Sequence, residues 1–215
     1  MEKKADLKSM TWKKRIGFIW DYYKWFIIIG IILIIVLIST VKHFMTQKSS
    51  VAELLLVNTE SNSTSIVPDF TDFMEQYGYN MDKEEIGVND SYFLDITNND
   101  SSNLYTYQSL ITIVAGGGVD VFCSDELLYE NLAGSGTFAD LSRYLSQDEL
   151  AELEDDIYYI TDKETGKTYP GGIKLGKDSW VVDQTYYKKG CIMGIVNGTE
   201  KEEAAVRLFR YILTH

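Results

Sequence analysis

The order of segments along the chain predicts an α/β domain, its sheet mainly parallel and flanked by helices, carried behind one transmembrane helix. Three observations point there. Continuous apolar, β-branched runs alternate with stretches whose apolar residues recur every three or four positions, as expected of a parallel sheet covered on both faces. Sixteen uncharged residues from Phe26 to Val41, nearly all Ile, Leu or Val, stand near the N-terminus, and flanking aromatics extend them to bilayer thickness. The 215 residues are 45% hydrophobic and 24% charged, values that exclude wholesale disorder and a disulfide-stapled mini-protein.

The membrane segment divides the chain. Residues 1–24 read as a basic and aromatic juxtamembrane segment, 25–44 as the transmembrane helix, 45–50 as a tether and 51–215 as the globular domain. The first 24 residues carry seven basic and three acidic groups. Basic residues are retained on the cytoplasmic side, so the N-terminus is expected in the cytoplasm of a bacterial cell and the domain outside it. A cleaved signal peptide is the competing reading. Against it, the apolar run exceeds a signal core, and the nearest small-residue site, Ser50-Val51-Ala52, lies well beyond it. Trp12, Ile16, Ile19, Trp20 and Tyr23 recur at helical spacing among Lys13, Lys14 and Arg15. That pattern fits an amphipathic helix on the inner leaflet, or simply a positive-inside signal with an aromatic belt.

Beyond the tether, Val51 to Val57 predicts a buried strand. Pro68 and Asp69 open a helix with Phe70, Phe73, Met74 and Tyr77 on one face, closed by Gly78. Ile86 to Ile96 has strand character, and Asn103 to Val114 is helical up to the Gly116–Gly118 stop. Val119 to Cys123 is a short strand, Glu126 to Leu132 a helix and Ser142 to Leu153 a second, acidic one. Ile157–Ile160 and Thr168–Leu175 flank a turn at Gly166 and predict a hairpin. Cys191 to Val196 is a last buried strand, and Glu200 to Leu213 an amphipathic helix with Ala205, Leu208, Phe209 and Ile212 inward.

Charge and motif content exclude several classes of function. The net charge is −12, and beyond Ser50 there are 11 basic against 29 acidic groups. Such a surface repels phosphates, so nucleic acid is not a partner. Cys123 and Cys191 sit inside apolar runs and read as buried free thiols in preference to a bridge. The only histidines, His43 and His215, lie at the membrane edge and the terminus, so neither a metal site nor a cofactor is expected. No Gly-x-Ser-x-Gly elbow and no internal histidine base occur, which removes the usual nucleophilic catalysts. Gly116–Gly118 follows a helix, where a C-cap explains it better than a phosphate loop. Gly166-Lys167-Thr168 lacks the first glycine of a Walker motif, since Thr161 stands in its place. The acidic run Glu152 to Asp156 reads as a solvated surface. An enzyme is not expected.

Three segments then carry a resemblance. The run Leu-Ile-Thr-Ile-Val-Ala-Gly-Gly-Gly-Val-Asp-Val-Phe-Cys-Ser-Asp from Leu110 to Asp125, the stretch Leu132 to Leu145 ending Ala-Asp-Leu-Ser-Arg-Tyr-Leu, and the closing Cys191 to Leu213 with Glu-Glu-Ala-Ala-Val-Arg-Leu-Phe-Arg-Tyr-Ile-Leu resemble, in this order, the extracellular solute-binding proteins of ABC importers. The resemblance implies one lobe of a periplasmic-binding-protein-like fold. It also implies a ligand-binding role and an ABC-importer permease, or another membrane protein, as partner. A full family member has two lobes, whereas only thirty residues separate Ile160 from Cys191, where the second would be inserted. A half-cleft of this kind suits a carbohydrate polymer, a peptide, another cell-envelope ligand or a membrane protein better than a small solute enclosed between lobes. An accessory subunit that binds no solute and only docks onto a transporter or envelope complex is the rival.

In open parallel sheets, ligands sit beyond the carboxyl ends of the strands. Asn58, Asp95 and Asp125 fall at such ends and are the candidate ligand-binding residues, since their amide and carboxylates bond hydroxyls or cations. Trp180 is the candidate aromatic face, contributed by the segment that replaces the second lobe. Competing roles exist: Asp125 as a helix cap, and Trp180 with Tyr186 as a plug.

Overall fold

In a computed structural model of the chain, the residues described are 11–46, 48–59, 69–98, 100–163, 165–176, 179–183, 187 and 189–214. Two compact units divide between Gln47 and Lys48.

The first unit is helix α1, Trp12–Thr46, 35 residues long. The helix runs unbroken past residue 24, where the juxtamembrane segment is expected to meet the span, since no proline between Trp12 and Thr46 interrupts its hydrogen-bond ladder. Within α1, Tyr23–Lys42 is long and apolar enough to cross a membrane, about 30 Å at helical rise. An N-terminal signal sequence passes the same test.

The second unit begins with β1, Ser49–Val57, followed by helix α2, Thr71–Gln76, and β2, Glu84–Tyr92. Helix α3, Ser101–Ala115, leads to β3, Val121–Ser124, and helix α4, Glu126–Ala133. After α5, Gln147–Glu152, come β4, Ile157–Thr161, β5, Thr168–Leu175, the short α6, Trp180–Asp183, β6, Cys191–Ile195, and α7, Glu202–Thr214. The strands form one sheet in the order β2-β1-β3-β6-β5-β4.

The sheet is mixed, which corrects the expectation of a mainly parallel one. β1 runs parallel to both β2 and β3, whereas β3–β6, β6–β5 and β5–β4 are antiparallel. The reason lies in the connections. β1, β2 and β3 are joined through α2 and α3, and a parallel return needs such a crossover. Only Asp162 to Lys167 joins β4 to β5, where Lys167 O accepts from Asp162 N at 3.0 Å, so that pair closes as a hairpin.

Local chemistry sets the helix boundaries. Asp100 caps α3 by accepting from Asn103 N, and Ser146 caps α5 in a reciprocal capping box with Glu149. The Ser146 cap is also why the single helix expected from Ser142 to Leu153 is two pieces: a 3₁₀ turn at Leu141–Arg143, and then α5 starting afresh after Ser146.

Both faces of the sheet are covered. Leu54 and Leu56 of β1 point to one core with Val121, Met193, Leu208 and Phe209, while Leu55 and Val57 point to another with Leu110, Phe122, Leu128 and Tyr129. This two-sided burial makes β1 read as a continuous apolar run. In the second core the Tyr129 ring stacks on Phe138 with centroids 4.0 Å apart, and its hydroxyl donates to Gly171 O at 2.8 Å. Two glycines make room for it: a Cβ at Gly194 would lie 1.9 Å, and one at Gly172 2.6 Å, from the Tyr129 oxygen. The β4–β5 register skips Gly171, since Tyr158 pairs with Gly172 and Tyr159 with Pro170. That bulge leaves the Gly171 carbonyl to Tyr129.

Candidate functional site

The carboxyl ends of the parallel strands do converge, and the candidate residues there serve as joints. Asn58 follows β1 in the left-handed region with φ 60°, a conformation that asparagine tolerates better than most residues. Its amide nitrogen donates to Asp125 Oδ2 at 2.6 Å, and its amide oxygen accepts from Leu94 N at 2.8 Å. Asp125 Oδ1 accepts from Leu128 N at 3.1 Å and so caps α4. Asn58 and Asp125 together tie the ends of β1 and β2 to the start of α4.

Tyr187 fills the space behind this joint. Its side chain is buried, and its hydroxyl lies 2.9 Å from Val57 O, at the end of β1, and 3.0 Å from Cys123 O, one residue before the end of β3. Burial pushes its pKa well above the ordinary tyrosine value. The crevice at the strand ends is therefore occupied by the protein's own side chain. Tyr187 supplies it; Tyr186 lies outside the described residues, as does the side chain of Trp180, whose backbone opens α6.

Asp95 is placed differently. It is exposed, and Oδ1 accepts from the Thr97 hydroxyl at 2.6 Å and from Thr97 N at 2.9 Å. These bonds, the hydroxyl first, hold its pKa below the usual carboxylate value. Asp95 lines a hollow of about 350 Å³ with Leu94, Ile96, Asn98, Asn103, Leu104, Tyr107 and Asn131. A second hollow of about 490 Å³ is lined by Ile96 and Asn131 again, by Leu127, Glu130 and Ala133 of α4 and Gly134 just after it, by Tyr158 to Thr161 of β4 and by Lys163. Ile96 and Asn131 line both, so the two hollows adjoin as a grooved surface. It follows the outer stripe of α4 and the free edge of the sheet.

The groove combines aromatic surface with unpaired polar groups. Tyr159 is 56% exposed and Leu127 52%. The Tyr107 hydroxyl donates to Asn131 Oδ1 at 3.0 Å, which orients that amide and leaves its nitrogen as a donor. The Asn103 oxygen accepts from Asp95 N at 3.1 Å, again leaving the nitrogen. Among the described residues, neither nitrogen has a partner, nor does the Glu130 carboxylate. Partial burial, then the negative charges of Glu130 and Glu126, raise the Tyr158 pKa, so its hydroxyl stays a neutral donor and acceptor. Lys174 lies across the Tyr158 ring at 5.7 Å and pairs with Glu126 at 3.0 Å.

The sequence marks only the Asp95 end of this groove. Leu127, Glu130, Asn131 and Gly134 are spaced as one helical face, and an outward leucine on that face was the available signal. No signal tied that face to Tyr158 and Tyr159, about thirty positions on, because the juxtaposition arises from the order of strands. Among the described residues, no cluster of His, Cys, Asp or Glu is arranged to hold a metal ion. No protein-family model, curated protein or solved structure matches the chain.

Proposed function

We propose that the protein is a single-pass membrane protein of a bacterial envelope, with the domain outside acting as a binding module. By its resemblance it is one lobe of an ABC-importer solute-binding protein, held by a transmembrane helix, and it binds a carbohydrate chain in the groove along α4. The observation that carries this reading is the contrast at the strand ends. The crevice that would take a small solute holds Tyr187, while the adjoining groove is open and lined by tyrosines and unpaired amides. Aromatic faces stack on sugar rings and amides bond to hydroxyls, and an open-ended groove accepts a polymer. The return of β6 antiparallel beside β3, after the parallel order β2-β1-β3, suits the expected return strand. The seven-to-three basic excess before the apolar run supports the orientation.

A docking subunit is the second reading. It is favoured by the exposure of Phe93, Leu104 and Tyr105, at 52%, 56% and 72%, beside the Asp95 end of the groove. The test uses the full-length protein in detergent against a panel of glycans and cell-wall fragments. Tyr159→Ala and Asn131→Ala should each weaken retention about tenfold with the melting temperature unchanged. Retention of no glycan, together with cross-linking from position 105 to a membrane protein, selects the docking subunit. Protease added to intact cells should remove the domain while a tag placed before Met1 survives; a protected C-terminus overturns the orientation.

A further inference from the structure

Cys123 and Cys191 are both buried free thiols, yet they lie side by side. Cys123 is in the middle of β3 and Cys191 is the first residue of β6. In the register Cys123 faces Met193, so Cys191 sits two positions away on the same side of the sheet, and the two sulfurs are 2.9 Å apart. They share a core with Met193 and Val121, so no rearrangement of the strands is needed to bring them together.

We propose that this pair is a covalent modification site, at which a disulfide-bearing oxidant joins Cys123 to Cys191 across the junction of the parallel and antiparallel halves of the sheet. The chemistry balances as thiol–disulfide exchange. The Cys191 thiol, 5% exposed against 1% for Cys123, loses its proton and attacks one sulfur of the oxidant. The oxidant's own S–S bond breaks and releases one thiolate. Cys123 then loses its proton and attacks Cys191 Sγ in the mixed disulfide, expelling the second thiolate. Two protein thiols are oxidised, one external disulfide is reduced to two thiols, and the two protons go to the leaving thiolates. Burial holds the Cys123 thiol well above its ordinary pKa, so the reaction is slow in the closed fold and proceeds through local opening of the core around the pair. The Tyr187 hydroxyl already bonds Cys123 O; the cross-link fastens this region at a second point.

The bond itself requires only the two side chains; its formation in cells rests on the extracytoplasmic placement proposed above, since thiols persist in the cytosol. The test treats the purified full-length protein with oxidised glutathione under native conditions, then denatures it and counts thiols with a maleimide. Two reactive thiols should fall to none, a joined Cys123–Cys191 peptide should appear by mass spectrometry, and the melting temperature should rise by about 10 °C from tethering residues 68 apart. Cys123→Ala and Cys191→Ala should each keep the unoxidised melting behaviour within a few degrees and show no such rise. Two thiols still reactive after exposure to the oxidant, or bonds only between molecules, overturn the site. Should the bond form in purified protein while protein trapped with maleimide straight from cells keeps both thiols, the chemistry stands and the extracytoplasmic placement falls.

Discussion

The strand-end crevice and the α4 groove meet at the Leu94-Asp95-Ile96 turn, yet their polar groups are used in opposite ways. In the crevice, Asn58 bonds both Leu94 N and Asp125, Asp125 also caps α4, and the Tyr187 hydroxyl faces the Val57 and Cys123 carbonyls. In the groove, the nitrogens of Asn131 and Asn103 are oriented by one bond each and free of another among the described residues. Position at a strand end is therefore a poor guide to ligand contact when the fold itself consumes the donors and acceptors there. What marks a binding surface is the polar group left over.

Variants that separate the two regions should differ steeply in stability. Tyr187→Ala removes a buried aromatic ring and should cost about 3–5 kcal/mol, read as a fall in urea midpoint. Tyr187→Phe removes the hydroxyl that faces the Val57 and Cys123 carbonyls and should cost about 1–3 kcal/mol. A cost below half a kcal/mol for the alanine variant would mean that Tyr187 does not fill the crevice.

The Asn58 joint comes next. Asn58→Gly keeps the left-handed backbone but loses both side-chain bonds, and should cost about 1–3 kcal/mol. Asn58→Asp sets a second carboxylate against Asp125. Its folded-state pKa is then raised, so the defect should be greatest at neutral pH and shrink as pH falls through the acid range. A defect independent of pH would argue that the Asn58–Asp125 contact is not formed.

Alkaline titration should distinguish the closed region without any substitution. Burial, the largest cause in each case, raises the pKa of Tyr187 and Tyr129 well above the ordinary value. Both raised values make the neutral hydroxyl the folded form, so their stabilising contribution is complete below the unfolded value of about 10 and is lost as pH rises above it. Tyrosinate absorbance should therefore fall at least two residues short of full ionisation until the domain unfolds. Full ionisation in the folded state would overturn the burial of both rings.

The smallest expected effect is in the groove. Tyr159→Ala should move stability by no more than about 0.5 kcal/mol, because the ring is 56% exposed, while abolishing most glycan retention. A large loss of stability would assign Tyr159 to the packing of the sheet edge.

Local signals made much of the fold legible. The apolar run of β1, the Asp125 cap and the periodicity of α7 each depend on neighbours within a few residues, and each element stands within a few residues of its expected place. The β4–β5 hairpin was legible from the turn at Gly166, but the direction of β6 was not, since a buried strand reads the same whether it runs parallel or antiparallel. The Tyr187 contacts join residues 64 and 130 positions apart, beyond the reach of any spacing rule. The same holds for Asp120, a buried carboxylate that accepts from Glu53 N at 2.7 Å and from the Thr199 hydroxyl. In the sequence it is simply the acidic residue between two valines. Of the candidate site, Asp95 was legible as a residue at the end of a strand region, but the groove it lines required the strand order.

Tyr129 and its glycines carry a consequence for recognising kin of this chain. With the ring stacked on Phe138 and the hydroxyl lodged where a Cβ at Gly194 would lie, neither position changes alone without a clash or a void. A bulkier residue at 194 demands a shorter one at 129, and the loss of Tyr129 in turn strands the Gly171 carbonyl. Chains that share this architecture should therefore inherit or lose the tyrosine and the glycine as a pair, 65 positions apart in this numbering. That linked choice would identify distant relatives after overall sequence likeness has disappeared.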